Sequence, residues 1–145
     1  MALYVVTGPP ASGKTTWVQQ RARHGDVVID MDAIASVLTV DSDGHTHPHA
    51  VLRCAQRARS VAIDEALKHA AEVDVYVIHM QPSVKALDRY AEHGAHVVTI
   101  DPGHDVVMAR IDEERHHTSR AVAARWYATH SDGGHERVGA GSRSW

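Results

Sequence analysis

Apolar residues along the chain gather into short, nearly unbroken runs separated by longer stretches of mixed polarity. Four runs carry β-forming residues: Ala2–Val6, Asp26–Ile29, Val73–Ile78 and His96–Ile100. They are continuous rather than alternating, as expected of strands covered by helices on both faces. Between them the apolar positions recur at helical spacing. The pattern predicts helices over Lys14 to about His24, about His49 to Ala71, Ser83 to about His93, about Asp105 to Arg115 and about Ser119 to His130. Strands alternating with helices imply right-handed crossovers and a parallel sheet. The expected fold is therefore α/β: a three-layer domain with a mostly parallel sheet of four or five strands and helices on both faces.

The segment after the first strand sharpens this reading. Gly8, Pro9, Pro10, Ala11, Ser12, Gly13, Lys14, Thr15 and Thr16 lie between a predicted strand and a predicted helix, and contain G-x-x-x-x-G-K-[ST]. The glycines let successive N–H groups turn toward phosphate oxygens. Lys14 would reach the β- and γ-phosphates, and the Thr15 hydroxyl would ligate Mg²⁺. This is a nucleoside triphosphate loop, so ATP and Mg²⁺ are the expected ligands.

Length fits one domain: 145 residues suffice for a single α/β unit and not for two. Residues 1–130 are expected to form it, with a lid at about 110–120, while the Gly/Ser-rich tail 131–145 is expected to be mobile. Without Phe, the core is expected to rest on Val, Ile, Leu, Ala and Met. The single cysteine, Cys54, excludes an internal disulfide framework and a cysteine metal cluster. No run nears the roughly 20 apolar residues of a membrane span and no signal peptide is evident, so no membrane partner and a cytoplasmic location are expected, the host's if phage-encoded. A net charge of −3 argues against a protein that coats nucleic acid through a broad basic surface. The oligomeric state is open.

Motors and switches usually place a carboxylate after a later strand, but VDVYVIHM ends in His79 and Met80. The second strand, VVIDMD, supplies carboxylates instead. Asp32 lies past its last apolar residue, where it could take the proton of an attacking hydroxyl; as a plain structural feature it would cap the helix AIASVL. Asp30 could support Mg²⁺ or Asp32.

The order GPPASGKTTW, VVIDMD, a helix-rich middle and an arginine-bearing lid resembles the kinase domain of phage polynucleotide kinases. More broadly it resembles the small P-loop kinases that include zeta toxins and chloramphenicol phosphotransferase. The resemblance covers roughly residues 2–130 and includes Trp17 directly after the loop. It implies that Asp32 is the general base and that the lid arginines touch ATP. Two family features are missing: Ala35 stands where an arginine follows the base, and no acidic residue occurs at His79 to Gln81. Both concern the acceptor side.

Arg110, Arg115 and Arg120 lie in the lid segment DVVMARIDEERHHTSR, with a break expected after Arg115. There they would neutralise the transferring phosphoryl group, with His116 and His117 as further phosphate contacts. Arg53 and Arg57, spaced i, i+4 on the long helix with Arg59 nearby, could bind an acceptor's phosphates, and Gln81 lies at a strand end facing the substrate. His45, His47 and His49 alternate before that helix; a substrate-facing loop fits them better than a Zn²⁺ site. Trp126 or Tyr127 could stack on a base or pack against the sheet.

Together these readings describe an ATP-dependent kinase acting on a hydroxyl. The preferred acceptor is nucleic acid, most readily DNA: a 5′-hydroxyl end, or a hydroxymethyl group on a modified base, which would suit a phage enzyme of DNA modification. The alternatives are a nucleotide or other small-molecule kinase, and a P-loop ATPase or switch.

Overall fold

The computed structural model describes residues 1–42, 44, 46–114, 117–130 and 136–138. Five parallel strands make one sheet: β1 (Leu3–Thr7), β2 (Val27–Asp30), β3 (Val75–Ile78), β4 (His96–Ile100) and β5 (Glu136–Val138), in the order β2-β3-β1-β4-β5. Register pairs Val5 with Val77 and with Val97, and Asp30 with Ile78. The carboxyl ends of β1 to β4 therefore lie along one edge, where α/β sheets hold ligands. The Gly/Ser-rich tail gave no sign of a strand, yet Glu136–Val138 pairs with Val98–Ile100 at the sheet edge. Residues 131–135 and 139–145 of that tail lie outside the described residues.

Among the described residues six helices connect the strands: α1 (Lys14–Gln19), α2 (Met31–Val37), α3 (His49–Leu67), α4 (Val84–Glu92), α5 (His104–Glu114) and α6 (His117–Thr129). Successive strand residues point to opposite faces, and this divides the core. Leu3, Val5, Val75 and Val77 meet Ile63, Ala66 and Leu67 of α3 and Tyr90 of α4. On the other face Val6, Tyr76, Ile78, Val98 and Ile100 meet Trp17 and Val18 of α1. A third cluster joins Val107 and Ile111 of α5 to Ala123 of α6.

Three expectations change. The core is not purely aliphatic: Trp17, Tyr76, Tyr90 and Trp126 are all buried, and Tyr4 stacks on Tyr76 at 5.0 Å. Large rings supply the volume that Phe would otherwise provide. Helix α1 stops at Gln19 rather than His24; the chain turns through Gly25, at φ 95°, where Asp26 accepts from the Arg23 amide at 2.8 Å. The strand carrying VVIDMD ends at Asp30, and α2 starts at the next residue. Helix α5 is described to Glu114 and α6 from His117; the break expected after Arg115 falls on residues 115 and 116, which lie outside the described residues.

Among the described residues no helix is long and apolar enough to cross a membrane. Leu3, 2 % exposed at the centre of the α3–α4 cluster, tests the packing. Leu3→Ala should cost about 2–5 kcal/mol, read as a lower urea midpoint with an unchanged m-value.

Candidate functional site

The loop after β1 begins with a close approach. Gly8 has φ 146°, and a Cβ on it would lie 2.3 Å from the Ile100 carbonyl oxygen and 2.8 Å from Ser12 Oγ. Only glycine fits there, on both backbone and steric grounds. The loop continues through Ala11 at φ 58° and ends at Gly13, φ 101°, which caps α1. A left-handed alanine is strained and persists where surroundings over-determine it. Here the Ala11 side chain packs on the α5–α6 cluster, and its carbonyl accepts from Arg110 Nη1 at 3.2 Å.

Lys14 folds back over this loop. Its Nζ donates to the carbonyls of Gly8 at 2.9 Å and Pro9 at 2.6 Å. Burial lowers its pKa from 10.5 to about 8, with Asp30 and Asp32 opposing the shift. A phosphate would replace the carbonyl oxygens and restore the charge.

The acidic wall is built by the β2–α2 junction. Asp30, not Asp32, is the cap of α2: its Oδ1 accepts from the Asp32 amide at 3.1 Å. Its Oδ2 accepts from the Thr15 hydroxyl at 3.5 Å. Burial pushes the Asp30 carboxyl up from its ordinary range, while the Asp32 amide and the Lys14 charge pull the other way. Thr15 and Asp30 thus face each other as Mg²⁺ ligands, direct or through water, would. Relieved of capping, Asp32 keeps a half-exposed carboxylate in the first turn of α2. Its Oδ1 lies 3.2 Å from His47 Nε2, and the His47 side chain is only 3 % exposed. His47 Nδ1 is buried with no hydrogen-bond partner. The histidine-rich loop therefore contributes one imidazole to the carboxylate, and no group of metal-binding residues occurs among the described residues.

These groups open into a cleft of about 510 Å³, lined by the loop residues Pro10 to Thr16, by Asp30, Met31 and Asp32, by Arg59 of α3, by Ile78 to Gln81 after β3, and by Glu114 of α5. Gln81 lines the cleft with its Nε2 donating to Thr129 of α6 at 3.2 Å. Arg53 and Arg57 do not reach the cleft; both are exposed on another side of α3. Arg59 does, and the sequence held the signal. It is four residues from buried Ala55 and four from buried Ile63, so a charged residue sits on the helix's apolar stripe. His79, at the end of β3, joins its Nδ1 to the Tyr90 hydroxyl at 3.2 Å, and burial plus the Arg59 charge lower its pKa to about 4.

The lid arginines divide. Arg110 meets the loop as above. Arg120 instead pairs with Asp112 at 2.5 Å, holding α6 to α5. Arg115 and His116 lie outside the described residues. Trp126 and Tyr127 are structural rather than base-stacking: buried Trp126 donates to the Met80 carbonyl at 3.1 Å, and the Tyr127 hydroxyl donates to Asp101 at 2.6 Å.

A family model described as "AAA domain" matches residues 3–132. Among solved structures, a crystal structure from Chloroflexus aurantiacus J-10-fl described as "a putative kinase" is similar. It has 18 % identity and a TM-score of 0.61 over 99 % of this chain and 91 % of that one; at that identity the likeness concerns the fold. No curated protein matches.

Two tests follow from the loop. Gly8→Ala should abolish nucleotide binding by titration calorimetry, because its Cβ has no room beside the Ile100 carbonyl. Lys14 gives a pH signature. In the free protein it loses its proton near pH 8, while in the unfolded chain it keeps it to 10.5. The unfolded state binds more protons between these values, so this group adds stability as pH rises through them. Lys14 should therefore take up part of a proton when nucleotide binds at pH 8, a contribution that vanishes at pH 6. Calorimetry in buffers of different ionisation enthalpy reads this directly; a buffer-independent enthalpy at pH 8 would contradict it.

Proposed function

The chain belongs to the AAA domain family, and on that premise we propose that it is an ATP-dependent kinase that transfers a γ-phosphate to the hydroxyl of an acceptor bound in the cleft. The observation that carries this reading is Asp32: a carboxylate free of capping duty, held at one oxygen by His47, in the same cleft as Lys14 and Thr15.

The loop fits a triphosphate, since it offers turned backbone N–H groups and a lysine whose burial favours an anionic partner. Thr15 and Asp30 would hold Mg²⁺, which supplies charge neutralisation on the β- and γ-oxygens. His47 Nε2–H donates to Asp32 Oδ1, which fixes the carboxylate's rotation. Asp32 Oδ2 then accepts the acceptor's proton as its oxygen bonds to the γ-phosphorus and the bond to the β-bridging oxygen breaks. Arg110, carried by α5 against the loop carbonyl, is placed to turn toward the phosphates when they enter.

A hydrolytic switch or motor is a poorer fit. The strand beside β1 ends in His79, a neutral, Tyr90-bound imidazole, where a carboxylate would be needed to orient water. The acceptor classes separate on charge and size. A 5′-hydroxyl DNA end or a hydroxymethyl base calls for phosphate contacts along a strand, and Arg53 and Arg57 point elsewhere. A cleft of about 510 Å³ that must also take the γ-phosphate favours a small acceptor.

Asp32→Asn should reduce transfer of label from γ-labelled ATP by roughly 10²–10⁴-fold, while ATP affinity changes little. The acceptor panel contains small alcohols, nucleosides, nucleotides and 5′-hydroxyl or hydroxymethyl DNA. Undiminished transfer in the variant would remove Asp32 from the reaction, and label on DNA alone would restore the nucleic-acid acceptor.

A further inference from the structure

Part of the cleft is built from groups that the transfer itself leaves unused. Arg59 stands on the apolar stripe of α3 between Ala55 and Ile63, a register normally held by a hydrophobic residue. Its Nε is buried with no hydrogen-bond partner. A guanidinium in such a place is retained at a cost unless an anion completes it. The described carboxylates that line the cleft, Asp30, Asp32 and Glu114, make no ion pair with it. Beside it stands His79, whose pKa near 4 keeps the ring neutral through the physiological range. Its Nδ1 is engaged by Tyr90. With the Tyr90 hydroxyl donating, the ring proton resides on Nε2, which becomes a second donor toward the cleft.

Strand β3 lies next to β1, so this corner adjoins the phosphate loop. A carboxylate at position 79 would make the corner a place for a metal-bound water. Histidine beside arginine reverses its sign. We propose that Arg59 and His79 form an anion subsite on the acceptor side of the cleft, and that the acceptor is accordingly a small hydroxyl compound bearing a carboxylate or phosphate group. The subsite rests on the kinase reading only for the word acceptor; binding of the anion stands by itself. The two pairs then divide the labour. Asp32 and His47 meet the hydroxyl, Arg59 and His79 meet the anionic group, and the distance between them selects the molecule. Neutral alcohols lack the second contact and leave the buried Arg59 Nε without a partner, which is how such sites reject close analogues.

Binding can be tested without knowing the acceptor. Protein saturated with a non-hydrolysable ATP analogue and Mg²⁺ has its γ-phosphate position filled, so inorganic phosphate or malonate must bind elsewhere. Titration of either, followed through the ¹⁵N resonances of the His79 ring, should give a saturable shift. Arg59→Met should weaken binding by about tenfold or more, the equivalent of at least one decade in Kd. Arg59→Lys should recover part of it, His79→Gln should weaken it, and Arg53→Met, outside the cleft, should leave it unchanged. Unaltered analogue affinity in the variants shows that the fold and loop are intact. The absence of a saturable shift in the wild-type protein, or equal affinity in Arg59→Met, would overturn the subsite. Preference for phosphate over malonate, or the reverse, names the anion. A second arm compares labelled transfer to glycerol, glycerate and glycerol phosphate. Anion binding at Arg59 with no transfer to any hydroxyl would sink the kinase reading and leave the subsite standing. Transfer to glycerol as efficient as to its anionic partners would do the opposite.

Discussion

The absence of a side chain at Gly8 is the constraint on which the site depends. The start of the phosphate loop lies against the carbonyl of Ile100 at the carboxyl end of β4, closer than any Cβ allows. That contact is possible because β1 and β4 run parallel in a register that pairs Thr7 with Thr99, their hydroxyls 2.9 Å apart in the interior. Once the loop is pinned there, its remaining turns follow. Ala11 is driven into the left-handed region with its methyl on the α5–α6 cluster, and Gly13 delivers Lys14 into the first turn of α1. The lid is thereby packed on the loop before any ligand arrives. Its other helix is anchored to both neighbouring strand ends, by Trp126 on the Met80 carbonyl and Tyr127 on Asp101.

Charge in the cleft is segregated by element. The β2–α2 junction brings both carboxylates to the cleft, α3 brings Arg59, and the loop after β1 brings Lys14. Burial then adjusts each group in the direction that disfavours its charge: Asp30 upward, Lys14 and His79 downward. A site of this kind is electrostatically incomplete when empty. A triphosphate with its metal would satisfy the lysine and Asp30 together, which would couple binding to the protonation of Lys14.

Much of the fold was legible in the chain. Continuous apolar strands separated by helical periods can only pack as a covered parallel sheet, and the glycine-lysine loop between strand and helix has one chemistry. The readings that needed revision share a cause. Asp32 was the cap read from the sequence; that Asp30 caps α2 instead depended on where β2 stopped pairing with β3, a property of the neighbour strand. Arg53 and Arg57 were attractive because they stack with each other, but a pair on one helical face is a solvent-side pattern. Arg59 lay off that pattern on the buried stripe, and its misfit was the stronger signal. His47 looked like one of three alternating loop histidines until the fold buried its ring against Asp32.

Local chemistry therefore set what each segment could be: which residues turn for phosphate, which runs are strands, and which carboxylates were candidates for a base. Those outcomes follow from side-chain shape, backbone freedom and periodicity, all short-range properties carried by neighbours in the chain. The tertiary structure decided which candidates meet. Arg59 reaches the cleft and Arg57 does not, His47 rather than His49 holds Asp32, Arg120 is held by Asp112, and a fifth strand closes the sheet edge. Each of those depends on the burial and orientation that distant elements impose, and burial is the quantity that a single position in a sequence does not carry.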